Sequence, residues 1–306
     1  MEEIKIFSPA TVANVSCGFD VLGFCLDTIG DEMTVRKMAK KGIRIRTIEG
    51  HDLPFDAEKN VAGVSALALY QNANPHYGFE MDIIKNIKPG SGVGSSSASA
   101  SGSVFAINKL LGNPFDKTQL VSFAMKGEAF ASGSEHADNI APGIFGGFTL
   151  VKSLAPLEIV QLPTPKNLYA TIIHPQIEIK TSEARAILPK EVQMKNAISQ
   201  WAGLGSFVHA LHTNDYGLIQ RSLQDFVVEP FRSQLIPFFK ELKAAALNAG
   251  ALGCGISGSG PSIFTLNCGI DSAKKVETAL SGIYAATRID FHTYISKINT
   301  EGIKIL

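Results

Sequence analysis

Alternating apolar and polar side chains mark Glu32-Met33-Thr34-Val35-Arg36 and Ile43-Arg44-Ile45-Arg46-Thr47-Ile48 as half-buried antiparallel strands. Ile4-Lys5-Ile6-Phe7 also opens like a strand, then yields to residues 8–23, whose small and polar side chains predict an ordered loop. The period changes over residues 60–72, where Val61, Val64, Ala68 and Leu69 fall at helical spacing behind Asn60 as a cap. A strand over 81–87 follows. A helix over 98–111 carries Val104, Ile107, Leu110 and Leu111 on one face and stops at Gly112-Asn113-Pro114. Further patterns predict a helix over 117–127, a loop over 132–147 and a strand over 148–151. The second half predicts strands over 169–173, 262–266 and 293–298, and helices over about 192–212, 215–224 and 236–249. The expected fold is α+β in each half. Proline interruptions at Leu154-Ala155-Pro156 and Leu162-Pro163-Thr164-Pro165 divide it into lobes 1–155 and 156–306. A chain of 306 residues suits two lobes, because single cores stop growing near ~250–300 residues.

The sharpest local change in pattern is Ile83-Ile84-Lys85-Asn86-Ile87-Lys88-Pro89-Gly90-Ser91-Gly92-Val93-Gly94-Ser95-Ser96-Ser97, an apolar run that breaks into glycines and serines ahead of a helix. Glycines let the backbone turn sharply and approach a ligand. A helix starting near Ser95 would aim free N–H groups and its positive dipole end at an anion. A Walker loop needs a lysine after its last glycine, but Gly94 is followed by three serines. A dinucleotide fingerprint begun at Gly90 needs a third glycine or alanine where Ser95 stands. What remains is a phosphate cradle whose serine hydroxyls can reach a divalent cation, chemistry that suits a kinase.

Composition narrows the partners. Lys plus Arg and Asp plus Glu number 28 each, so no broad basic field exists for nucleic acid. No window approaches the ~20 apolar residues of a membrane span. Cys17, Cys25, Cys254 and Cys268 form no C-x-x-C pair and the first residues lack a signal peptide's apolar run, which predicts a cytoplasmic protein with reduced thiols. A small-molecule substrate is expected.

Pro89-Gly90-Ser91-Gly92-Val93-Gly94-Ser95-Ser96 resembles the P-x-x-x-G-L-G-S-S loop of the GHMP kinases, with Val93 for leucine and one residue fewer after the proline. Ser8-Pro9-Ala10-Thr11-Val12-Ala13-Asn14 through Gly18-Phe19-Asp20-Val21-Leu22-Gly23 and Gly255-Ile256-Ser257-Gly258-Ser259-Gly260-Pro261-Ser262 match the same superfamily, in the right order. His136-Ala137-Asp138-Asn139-Ile140-Ala141-Pro142, followed by Phe145-Gly146-Gly147, is similar to its homoserine kinase branch. The resemblance implies a ribosomal-S5-like first lobe, a ferredoxin-like second lobe, ATP and Mg²⁺, L-homoserine bound between the lobes, and a homodimer.

Roles follow position by position. The resemblance implies nucleotide contacts from Asn60, Pro89, Gly90, Ser91, Gly92, Val93, Gly94, Ser95, Ser96 and Ser97, with Ser96 and Glu128 holding the metal. It implies substrate contacts from Asn14, Asp20, His136, Asn139, Arg185, Arg232 and Gly258, and reaction-centre roles for Asn139, Asp138 and Glu128. The implied branch has no clear general base, which phosphoryl transfer tolerates because its loose transition state asks little early proton removal. Without the resemblance, Glu128 reads as a solvated carboxylate, Asn60 as a helix cap, and the two arginines as surface charges. Mevalonate-type or sugar kinases are the alternatives within the superfamily, and a non-catalytic ligand sensor is the alternative outside catalysis.

Overall fold

The computed structural model describes residues 1–306. The chain runs β1 (Glu3–Val15), β2 (Gly18–Met38), β3 (Ile43–Glu49), α1 (Val61–Ala73), β4 (Gly78–Ile84), α2 (Ser95–Leu110), α3 (Lys117–Ser132), α4 (Ile140–Phe145), β5 (Phe148–Leu154) and β6 (Leu157–Leu162). It continues with β7 (Leu168–Pro175), α5 (Thr181–Ala186), α6 (Met194–Thr213), α7 (Tyr216–Ser222), α8 (Glu229–Arg232), α9 (Phe239–Asn248), β8 (Gly253–Ile256), β9 (Ile263–Cys268), α10 (Ile270–Ala285), β10 (Phe291–Lys297) and β11 (Lys304–Ile305). Two sheets result, as the α+β expectation required. The first has the order β11-β1-β2-β4-β3, with β5 joining β2 to β6; the second is antiparallel in the order β10-β7-β9-β8. Fourth-first-third-second is the ferredoxin-like arrangement. No helix is long and apolar enough to cross a membrane.

Residues 8–23 are not the loop their composition suggested: β1 and β2 run through them, with only Ser16 and Cys17 between. The small polar residues serve a bent ladder. Its register shifts between Pro9 and Thr11 and between Ala13 and Val15, and Asn14, Ser16 and Asp20 take φ of 57°, 44° and 59°. Asparagine and aspartate tolerate that left-handed region better than most side chains. The bends turn the chain's first motif toward the other lobe.

Three cores hold the molecule. Ile6, Met33, Val35, Phe79 and Met81 of the first sheet pack against Val104 and Ile107 of α2 and Leu120 and Ala124 of α3. Ile173, Leu242, Val276, Leu280 and Tyr284 fill the second lobe. The third core lies between the sheets, where Phe24 and Phe148 meet Ala170, Ile172, Phe207 and Phe264. The Phe24 ring lies 5.1 Å from Phe148 and 5.8 Å from Phe264, so truncating it to alanine would cost about 3–5 kcal/mol. A boundary at 155/156 falls in the turn between β5 and β6, and β11 returns the chain's end to β1. Proline there shapes a hairpin within the first sheet.

Candidate functional site

A cleft of about 340 Å³ opens where the two lobes face each other. Its floor is the glycine loop. Gly90, Gly92 and Gly94 take φ of 75°, 81° and 72°, and α2 starts at Ser95 with Gly94 as its N-cap. Two of these glycines are fixed by close approach: a Cβ on Gly92 would lie 2.5 Å from Gly260 O, and one on Gly94 would lie 2.2 Å from Thr11 Oγ1. The first four N–H groups of α2 have no partner inside their own helix, so the loop presents donors to an anion.

The small residues of α2 let it lie directly on β1, as Ser8 Oγ donates to Ala98 O at 2.7 Å. Packing of α2 against α3 then brings Glu128 to the loop. The Ser96 hydroxyl lies 2.8 and 3.1 Å from the two Glu128 oxygens, and Ser97 Oγ donates to Oε2 at 2.9 Å. Glu128, on the cleft wall, is thus held by Ser96 and Ser97 and is no free surface charge. One carboxylate and one hydroxyl are hard oxygen donors, fitting a Mg²⁺ ion that keeps most of its other positions for water and phosphate.

Lys85 is a cleft residue outside every motif of the sequence. Its side chain lies at the cleft floor, buried, ion-paired with Asp31, with Nζ donating to Ser95 O at 2.7 Å. Burial pulls its pKa down, while Asp31 and Glu128 oppose that effect. In the sequence it is a lysine directly after Ile83-Ile84, with no local feature that marks it as a cleft residue.

The opposite end of the cleft is rich in charge. Asp20 accepts two bonds from Arg185 Nη2, both 2.9 Å, and lies 3.9 Å from His136 Nδ1. Arg232 is buried, with Nε donating to Ala184 O at 3.0 Å and Nη1 to Gly258 O at 3.1 Å. No carboxylate comes within 4 Å of it. The Phe19 ring supports both guanidiniums, with its centroid 5.0 Å from Arg232 Cζ and 5.8 Å from Arg185 Cζ. A buried cation with only neutral partners is costly unless an anion joins it. Arg232 therefore marks a seat for a carboxylate or phosphate.

Asp138 lines the cleft between these ends, and its carboxyl is pushed up to about 7, first by burial and then by the nearby charges of Asp20 and Glu128. Burial pulls His136 below its ordinary value despite Asp20. Both ends of two amides are already engaged. Asn14 Nδ2 donates to Gly258 O and its Oδ1 accepts from Asp20 N, each at 2.8 Å. Asn60 caps α1 by accepting from Ala62 N at 2.9 Å, while its Nδ2 donates to Pro54 O at 2.8 Å. Asn60 is therefore the helix cap its sequence position suggested, and it also lines the cleft.

The cleft brings together Asn14, Asp20, Asn60, Pro89, Gly90, Gly92, Gly94, Ser95, Ser96, Glu128, His136, Asp138, Asn139, Arg185, Arg232 and Gly258. Ser91, Val93 and Ser97 are buried behind the loop instead, and do not line it. A segment of alternating exposure has only half its side chains on the ligand face. Besides Lys85, the cleft adds Leu53, Pro54, Lys59, Val61, Ser99, Ala131, Ser132, Thr181 and Ser259.

Residues 60–147 match the family described as GHMP kinases N terminal domain, and residues 207–285 match GHMP kinases C terminal. A relative from Chlorobium phaeovibrioides named homoserine kinase is 41% identical over the whole of both chains. The crystal structure of homoserine kinase from Cytophaga hutchinsonii superposes with a TM-score of 0.96 at 51% identity, covering 100% of this chain and 98% of that one. L. major mevalonate kinase shares the fold, with a TM-score of 0.74 at 14% identity over 96% of each chain.

Proposed function

This chain belongs to the homoserine kinase branch of the GHMP kinase family, and from that premise we propose that it transfers the γ-phosphoryl group of ATP to the side-chain hydroxyl of L-homoserine, giving O-phospho-L-homoserine and ADP. The observation that carries the substrate reading is Arg232, a buried guanidinium without a carboxylate partner, facing Asp20 and Asp138 across one cleft. A zwitterion matches that arrangement: its carboxylate joins Arg232 and Arg185, and its ammonium joins Asp20. Guanidinium and carboxylate pair through parallel bonds, fixing orientation as well as charge.

The triphosphate takes the donors of the glycine loop and the start of α2, which the Lys85–Asp31 pair braces from beneath through Ser95 O. Ser96 and Glu128 would hold Mg²⁺, whose chemistry here is neutralising charge on the phosphate oxygens. Purine binding falls to the wall formed by Leu53, Pro54, Asn60 and Val61. In the reaction the homoserine hydroxyl oxygen forms a bond to the γ-phosphorus while the bond to the bridging oxygen breaks, leaving its electron pair on ADP. The hydroxyl proton departs late, and Asp138, whose carboxyl is raised to about 7 among the acidic groups lining the cleft, takes it in this reading. The rest of the rate comes from holding nucleophile and phosphorus in line. A homodimer and a cytoplasmic setting belong to this reading through the family alone.

Steady-state ADP release, measured with ATP, Mg²⁺ and a panel of homoserine, mevalonate and galactose, tests the assignment. Turnover is expected with homoserine; background rates with homoserine alongside turnover of mevalonate or galactose would overturn it.

A further inference from the structure

Thr11 lies within β1, 1% exposed, and contributes nothing to the cleft wall. Three contacts nevertheless converge on it. Its N–H donates to Val93 O at 3.2 Å, its hydroxyl donates to Asn139 Oδ1 at 2.9 Å, and Gly94 packs so tightly that a Cβ there would lie 2.2 Å from Thr11 Oγ1 and 3.1 Å from Asn139 Oδ1. Asn139 holds the N-cap position of α4, yet its side chain makes no capping bond. Asparagine at that position ordinarily accepts from the helix's own N–H groups. Here the carboxamide is turned toward β1 instead. Its oxygen is engaged by Thr11, and the amide NH₂ makes no hydrogen bond within the chain, so a donor is what remains for the cleft.

We propose that Thr11 is a positioning residue that holds the Asn139 carboxamide by its oxygen, leaving the NH₂ as a donor toward the acceptor hydroxyl and the transferring phosphoryl oxygens. The proposal rests on the kinase reading above. A carboxamide not held in place would spend part of its time away from the electron-rich hydroxyl and phosphoryl oxygens it must meet. A donor already aimed where charge develops needs no reorganisation during the reaction. The same hydroxyl abuts Gly94, so the orientation of Asn139 and the last turn of the phosphate loop are set from one side chain.

Thr11→Val keeps the shape and removes the hydroxyl, and Thr11→Ser keeps the hydroxyl. We expect Thr11→Val to lower kcat about 10-fold or more while KM for ATP and homoserine stays within about 3-fold, and Thr11→Ser to restore most of kcat. A readout independent of turnover is the pair of Asn139 side-chain NH₂ resonances in ¹⁵N-labelled protein, assigned by their loss in Asn139→Asp. Thr11→Val should shift these signals and speed their exchange with solvent, and Thr11→Ser should leave them near the wild-type positions. Wild-type kcat in Thr11→Val, unmoved Asn139 resonances, or equal kcat losses in both variants would each overturn the proposal. If wild-type protein does not phosphorylate homoserine at all, the kinase reading fails, and the resonances still decide the Thr11–Asn139 link.

Discussion

Replacing Asp138 by asparagine preserves the side chain's shape and removes its charge from a buried position on the cleft wall. The carboxyl is raised from 3.8 to about 7, with burial as the largest cause and Asp20 and Glu128 adding to it. Below about pH 4 the group is protonated in folded and unfolded chains alike and costs the fold nothing. As pH rises toward 7 the unfolded chain ionises while the folded chain keeps its proton, so stability falls; above 7 the full difference has been lost. The gap between 3.8 and about 7 amounts to about 4 kcal/mol at 1.36 kcal/mol per pH unit. Asparagine has no such titration. The stability of Asp138→Asn relative to wild type should therefore grow by about 4 kcal/mol between about pH 4 and about pH 8. Urea unfolding of both proteins across that range measures it, because the titrations of groups that do not interact with Asp138 cancel in the difference. A difference that does not change with pH would refute the burial argument, and with it the reason for a carboxyl poised near neutrality. The same variant should lose turnover while gaining stability, as expected for a strained functional group.

Glu128→Gln should lower kcat at saturating ATP and Mg²⁺ by about 100-fold or more while leaving the homoserine KM within about 3-fold, read in steady-state assays at varied Mg²⁺. Arg232→Ala should instead raise the homoserine KM about 10- to 100-fold, the loss of a charge-assisted pair, with a smaller change in the KM for ATP. Lys85→Met leaves Asp31 buried without its cation and should destabilise the protein by about 3–5 kcal/mol in chemical denaturation, part of which Lys85→Met with Asp31→Asn should recover.

Much of this arrangement is legible in the chain because local pattern and tertiary role agree. The strand-glycine-helix unit at 83–110 has apolar residues to bury, glycines where φ is positive and small residues where α2 meets β1. Where the two disagree, reading fails. Residues 8–15 look like a loop because Ser8, Pro9, Thr11 and Asn14 serve a bulged strand whose partners lie far along the chain. The helix α10 carried a usable signal that went unread, since Ala273, Val276, Leu280 and Tyr284 recur at helical spacing on its buried face. Lys85, Phe19 and Thr11 gain their meaning only from distant residues: Asp31, the two arginines and Asn139. The 155/156 boundary rested on a proline that closes a hairpin, a local feature with no bearing on which sheet its flanks join.

One cleft, lined from both lobes, delivers a phosphoryl group to the hydroxyl of an amino acid in the reaction proposed. Phosphorus–proton correlation NMR of the product formed from ATP and homoserine reads the transfer at the atom that receives it. A phosphomonoester signal coupled to the methylene protons next to the former hydroxyl is expected, with one ADP formed per ester. ADP formed without that coupled signal, or a phosphoryl group carried on another atom, would contradict it.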